Sequence, residues 1–209
     1  MRRFFLGVLL SAGTLATHAQ FGAGAQLNWS KYFSGGPSFI GLGINANVIV
    51  HDDYPLRLSV NFGLPSTESF TTTANALSST TSPSYVSVSY KQKISLLNFW
   101  LDGQKYFGDG DYEDGGLYGL VGIGYTNASV KYDVGSYDKD VYSIGSLEDE
   151  NIGQLGIRVA LGYDKGFRGG NLFGEAGLNL SANQQNGQEV EVNLPSFLFI
   201  NVGFRHWFG

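Results

Sequence analysis

The sequence has no cysteine, one methionine, three histidines and few charges: 15% of its 209 residues are Asp, Glu, Lys or Arg, against about 25% in ordinary soluble domains. Without cysteine there is no disulfide framework, no thiolate metal centre and no acylated lipoprotein anchor. Beyond the first 20 residues no apolar run reaches the ~20 residues of a membrane-spanning helix. Glycine is the residue in excess, with 30 copies, about twice its usual share. The length suits one domain. Scarce charge and abundant glycine argue against a plain cytosolic enzyme.

Residues 1–19 read as a secretory signal peptide. Arg2 and Arg3 form a positive start, Phe4 to Leu10 an apolar centre, and Thr17-His18-Ala19 a small-residue cleavage site. Residues 20–209 are then the mature domain. Losing Arg2 and Arg3 leaves 11 Lys and Arg against 18 Asp and Glu, a net charge of −7. This acidic balance argues against nucleic acid as a partner, because phosphate binding needs surplus cations.

The mature sequence alternates with a period of two, the mark of strands with one face unlike the other. Leu155, Ile157, Val159, Leu161 and Tyr163 share one face, opposite Gln154, Gly156, Arg158, Ala160, Gly162 and Asp164. Similar segments occur at 21–30, 40–48, 56–63, 172–181 and 198–208. Two further strands lie between Tyr85 and Tyr132. There Val86, Val88 and Tyr90 have one parity and Leu97, Phe99 and Leu101 the other, so a bulge or register change is expected between them. The count is eight. Connections alternate between compact Asp/Gly-rich turns and long polar segments, at 66–84, 133–150 and 183–195, with a short first connection at 33–37 that departs from the pattern. Short turns on one side and long loops on the other suit an up-and-down barrel crossing a membrane, with both termini on the short-turn side.

The composition of the two faces decides which one points outward. A soluble cup would turn its polar face to water, yet that face is mostly Gly, Asn, Ser and Gln with few charges, where a soluble surface carries about 25–35% charged residues. It suits a crowded lumen instead, since eight strands leave room only for side chains. The Leu, Ile, Val and Phe face suits hydrocarbon. Aromatics at strand ends are expected to form two girdles: Tyr54, Tyr106, Phe107, Tyr163, Phe167, Phe173, Trp207 and Phe208 at the short-turn end, and Trp29, Tyr32, Tyr85, Tyr132 and Phe197 at the other.

The signal peptide, the eight alternating strands and a final strand reading Asn201-Val-Gly203-Phe-Arg-His206-Trp-Phe208 resemble small outer-membrane β-barrels, of the OmpA/OmpX-like "outer membrane β-barrel domain" family common in Bacteroidota. The resemblance implies a Gram-negative outer-membrane location, contact with membrane lipid and lipopolysaccharide, and insertion by the barrel assembly machinery. It also implies an assembly signal at Asn201, Gly203 and Phe208. His206 and the trailing Gly209 depart from that signal. No peptidoglycan-binding domain is expected after the barrel.

Candidate chemistry is sparse. On the expected lumen face, Arg57, Arg158 and Arg205 balance Asp102, Asp164 and Glu175, and an ion-paired network filling the barrel is expected because unpaired buried charge is costly. A narrow porin-like conduit is the alternative. Gly119, Gly122 and Gly124 lack the helix that a nucleotide-binding loop requires and read as packing glycines. Asp109 to Gly115 fails the calcium-loop spacing, and Glu148-Asp149-Glu150 reads as a solvated loop. A lipid A-modifying barrel enzyme would need a His, a Ser and an acid near the outer leaflet. The mature histidines, His51 and His206, are expected at the opposite end. No catalytic residue, metal or cofactor is expected, and a structural or surface-interaction role is.

Overall fold

In a computed structural model the described residues are 20–33, 35–49, 54–181 and 196–208. Among them are nine strands and no helix: β1 (Phe21–Tyr32), β2 (Ser38–Ile49), β3 (Pro55–Ala76), β4 (Tyr85–Tyr106), β5 (Gly115–Val134), β6 (Tyr142–Ser143), β7 (Glu150–Phe167), β8 (Gly170–Ser181) and β9 (Phe197–Phe208). Eight of them form a closed antiparallel ring. Each pairs with the next along the chain, β5 pairs with β7, and β9 returns to β1 from Phe208↔Phe21 to Phe197↔Tyr32. Closure leaves no sheet edge around the ring. The two-residue β6 pairs only with the tip of β3. The expected signal peptide, His51, the 183–195 connection and Gly209 lie outside the described residues.

Twelve-residue strands such as β1, β2, β8 and β9 suffice to cross a hydrocarbon layer when tilted. A belt of outward positions around the ring is apolar: Ile44, Leu58, Leu101, Ile123, Leu161 and Val202 are all exposed. In water this belt would drive aggregation; in hydrocarbon it is the favoured surface. Compact turns close one end. Gly115 there has φ +89°, and a Cβ on it would meet the Asp164 carbonyl oxygen at 2.5 Å. Glycine is the residue that both constraints admit.

Two expectations about the central strands need correction. The segment 66–84 is a loop only from 77 to 84, because β3 continues to Ala76. The parity change between Tyr90 and Leu97 is not a bulge in β4, which pairs with β5 without a break from Tyr90↔Val134 to Tyr106↔Tyr118. The expected register change does fall in this window, in the pairing with β3: the extra residue of β3 between Gly63 and Ser66 stands opposite the step from Ile94 to Leu96. Even-numbered side chains of β4 face inward along its whole length. What changes is the medium outside. Below, Phe99 and Leu101 point outward and Asn98 and Asp102 inward. Above, Ser87, Ser89, Lys91 and Lys93 point outward and Val88 and Tyr90 inward. β3, β4 and β5 therefore rise beyond the belt as a three-stranded arm with ordinary aqueous patterning. Its inner face carries Phe70 stacked on Tyr90 at 5.5 Å, with Tyr132 beyond at 6.0 Å.

The expected girdles are also corrected. Tyr54, Phe107, Tyr163, Phe167 and Phe208 are exposed on the outside at the short-turn end, and Trp29 has outward parity at the other. Tyr106, Phe173, Trp207, Tyr32, Tyr132 and Phe197 have inward parity, and Tyr85 sits at the tip of the arm opposite Asn75. Position along a strand does not determine facing; parity does. Tyr132 lines the inner face of the arm, and the other inward rings pack the two ends of the lumen.

Candidate functional site in the barrel lumen

Inward parity brings the six ionisable residues singled out in the sequence into the barrel, all with 3% exposure or less. Arg57 on β3 is the hub. Its Nε donates to Asp102 Oδ2 at 3.2 Å, and its two terminal nitrogens donate to both oxygens of Glu175, the Nη2–Oε2 contact being 3.0 Å. Arg158 on β7 grips Asp102 from the other side, through Nε to Oδ1 at 2.6 Å and through Nη2 to Oδ2, and also donates to Ser59 Oγ at 3.1 Å. Forked, planar guanidinium groups suit this bidentate pairing. Tyr118 OH and Asn201 Nδ2 donate to Glu175 at 2.6 and 3.1 Å. One connected network thus spans β3, β4, β5, β7, β8 and β9.

Arg205 and Asp164 are held apart from this hub. Their closest approach is 4.0 Å. Asp164 instead accepts from Tyr106 OH at 2.7 Å and from the Gly116 backbone N–H at 3.0 Å, while Arg205 Nη1 donates to Gln104 Oε1 at 3.0 Å. Arg205 Nε and Nη2 find no hydrogen-bond acceptor among the described residues. Its compensation comes from rings: the guanidinium carbon lies 4.8 Å from the centroid of Phe173 and 5.9 Å from those of Tyr118 and Trp207. Arg158 likewise lies over Trp100 at 4.9 Å and Phe199 at 5.7 Å.

An amide chain begins level with Arg57, at its register partner Asn47, and runs toward the arm. Gln26 Nε2 donates to Asn61 at 2.7 Å, Asn45 Nδ2 to Gln26 at 3.3 Å, and Asn47 Nδ2 to Asn45 at 2.7 Å. Nearer the arm, Tyr32, Phe39, Leu96, Ala128 and Phe197 form an apolar cluster inside the barrel, with Tyr32 edge-on to Phe39 at 5.5 Å and to Phe197 at 6.2 Å. Ion pairs thus occupy the middle of the lumen and apolar side chains its arm end.

Sequence reading overlooked both the arginine-stacking rings and the apolar cluster, having assigned aromatics by height alone. Parity could have found them. Trp100 shares the parity of Asp102, Phe173 that of Glu175, and Phe199 and Trp207 that of Arg205.

Asn201 and Gly203 face the lumen, whereas Phe208 points outward with His206 edge-on to it at 4.7 Å. His206 Nδ1–H donates to the Gly169 carbonyl in the β7–β8 turn. Gly119, Gly122 and Gly124 lie within β5. Asp111 Oδ1 accepts from the backbone N–H groups of Glu113 and Asp114, forming a self-closed turn. No cluster of three metal-ligating side chains occurs among the described residues. Asp149 caps the Tyr132 backbone N–H at 3.0 Å.

A closed ring joins an apolar exterior to a charged interior. The chain has the fold of small outer-membrane β-barrels. It is similar to Neisserial surface protein A, with 14% identity over 91% of this chain and 97% of that one and a TM-score of 0.55. It is also similar to a major outer membrane protein from Thermus thermophilus, with 13% identity over 91% and 99% of the two chains and a TM-score of 0.58. No protein family and no curated protein matches the sequence.

Proposed function

We propose that this chain is an integral outer-membrane protein whose barrel is a closed, stable anchor and whose arm and loops carry a structural or surface-interaction role. The observation that carries this reading is the pairing of an apolar exterior with an interior filled by the Arg57–Asp102–Glu175–Arg158 network and an apolar cluster. A bilayer needs the first, and a solute path is blocked by the second. Export through the signal peptide at 1–19, insertion by the barrel assembly machinery with Asn201, Gly203 and Phe208 in the terminal strand, and membership of the Bacteroidota type of the family belong to the same proposal. So does contact with lipopolysaccharide.

The role is not enzymatic in this reading. His206 lies in the terminal strand beside the β7–β8 turn, with its Nδ1–H engaged by a backbone carbonyl, at the end opposite the arm. Mass analysis of lipid A from cells with and without the protein tests this point, and an altered acyl pattern would overturn it.

Two measurements test the reading as a whole. Fractionation of cells combined with protease treatment of intact cells should yield cleavage within the 133–150 segment; a protected segment would reverse the orientation. Planar-bilayer recordings of purified protein should show no steady conductance. Resolved steps would replace the closed anchor with a narrow channel.

A further inference from the structure

At the upper rim of the apolar belt, two lysines stand directly opposite one another on the outer face: Lys93 of β4 is the register partner of Lys131 of β5. Both are exposed. Like charges at directly opposed positions destabilise a sheet, and no carboxylate of the described residues lies within 4 Å of either ammonium group. The charged neighbours are Lys91 and Asp133, paired one row farther out, and Asp149, whose carboxylate accepts the Tyr132 backbone N–H. Asp149 thus flanks Lys131 on the β7 side, where Glu150 pairs with Val130, but the β4–β5 pair nearest the belt is lysine on lysine.

One row below the lysine pair, toward the belt, Ser95 stands opposite Ser129. These two serines and Asn127 line a crevice of about 240 Å³ that is completed by Phe62, Gly63, Leu96 and Leu97. Hydroxyl and amide groups thus lie beneath the two ammonium groups, and apolar side chains lie on the belt side. This arrangement has the polarity of a membrane lipid: charge outermost, hydrogen-bonding groups next, hydrocarbon innermost. Long lysine side chains also reach toward headgroups from positions near a belt edge.

We propose that Lys93, Lys131, Ser95, Ser129 and Asn127 form a binding site for the phosphate-bearing headgroup of a membrane lipid, with an acyl chain descending past Leu97 and Phe62. The phosphate neutralises an otherwise repulsive cross-strand pair. The site ties the base of the arm to the leaflet from which it rises. This inference rests on the membrane-spanning reading above and goes beyond it by naming a lipid class and its contacts.

The test uses the full mature chain refolded into phosphatidylcholine vesicles containing a minor fraction of phosphatidic acid. Flotation is scored first, then lipid retained after detergent extraction is measured by native mass spectrometry. Wild type should retain phosphatidic acid, and the double variant Lys93→Gln/Lys131→Gln should retain about tenfold less. Lys31→Gln paired with Lys139→Gln removes the same charge elsewhere and should retain as much as wild type. Equal retention by wild type and the Lys93/Lys131 variant in floating protein overturns the site alone. Loss of retention in both double variants overturns it in favour of general charge attraction, and displacement of the lipid by millimolar inorganic phosphate overturns it in favour of a simple anion site. A chain that fails to float removes the membrane reading and the site together.

Discussion

Gly122 of β5 faces Asp102 of β4 so closely that a Cβ on the glycine would stand 2.0 Å from Asp102 Oδ1 and 2.8 Å from the Leu101 carbonyl oxygen. The two are register partners, and the missing side chain makes the space in which Asp102 receives both Arg57 and Arg158. Glycine on the lumen face is thus part of how the charge network is built.

Gly122→Ala is expected to displace that carboxylate and lower stability by about 1–3 kcal/mol. Gly174→Ala, where nothing lies within 4 Å of an added Cβ, should leave stability within about 0.5 kcal/mol of wild type. Urea-driven equilibrium unfolding in lipid vesicles measures both. Equal losses would show that crowding at Asp102 is not the cause.

The two arginines of contrasting environment should differ in cost. Arg57→Met leaves Asp102 and Glu175 buried with fewer donors and is expected to cost about 3–5 kcal/mol. Arg205→Met removes a cation with two unmatched donors and leaves Asp164 its bonds to Tyr106 and Gly116. It should cost at least about 2 kcal/mol less. The same unfolding assay ranks them, and the reverse order would refute the hub role of Arg57.

The change of medium along β4 and β5 predicts a position-dependent penalty for charge. Ile123→Arg, on the outer face of the belt and 63% exposed, is expected to cost about 2–4 kcal/mol in a bilayer. Ser89→Arg, outward on the arm, should change stability by no more than about 0.5 kcal/mol. Comparable penalties at both positions would place the arm inside the hydrocarbon.

The apolar cluster at the outer end should matter as a packed core does. Phe197→Ala, at a position 3% exposed and edge-on to Tyr32, is expected to cost about 3–5 kcal/mol. The assay is again unfolding in vesicles. A neutral result would mean that the cluster fills space without contributing to stability.

Much of this was legible in the sequence because strand alternation is a property of the local backbone. Six strands could be read directly: in 154–164, for instance, each apolar residue is followed by a small or polar one. The long central strands were harder. Val86, Val88 and Tyr90 show the same inward parity as Asn98 and Asp102, but their polarity is inverted, and a reading that assumes one solvent along a strand turns that inversion into a bulge. The lumen rings were missed for a related reason: Trp100 and Phe173 are apolar residues on the face taken to be polar.

The sequence by itself determined the period, the approximate strands and the opposed chemistry of the two faces, since successive side chains alternate wherever the backbone is extended. It also nominated six charged residues for the interior. Only the tertiary structure decided which of them meet. Arg57 and Glu175 are 118 positions apart, and ring closure with its strand registers brings them into contact across the lumen. It likewise set Arg205 and Asp164 apart from the Arg57 hub as a looser pair at 4.0 Å, lifted three strands out of the belt and set Lys93 against Lys131. Pairing partners depend on how eight strands close on one another, and no local pattern carries that information.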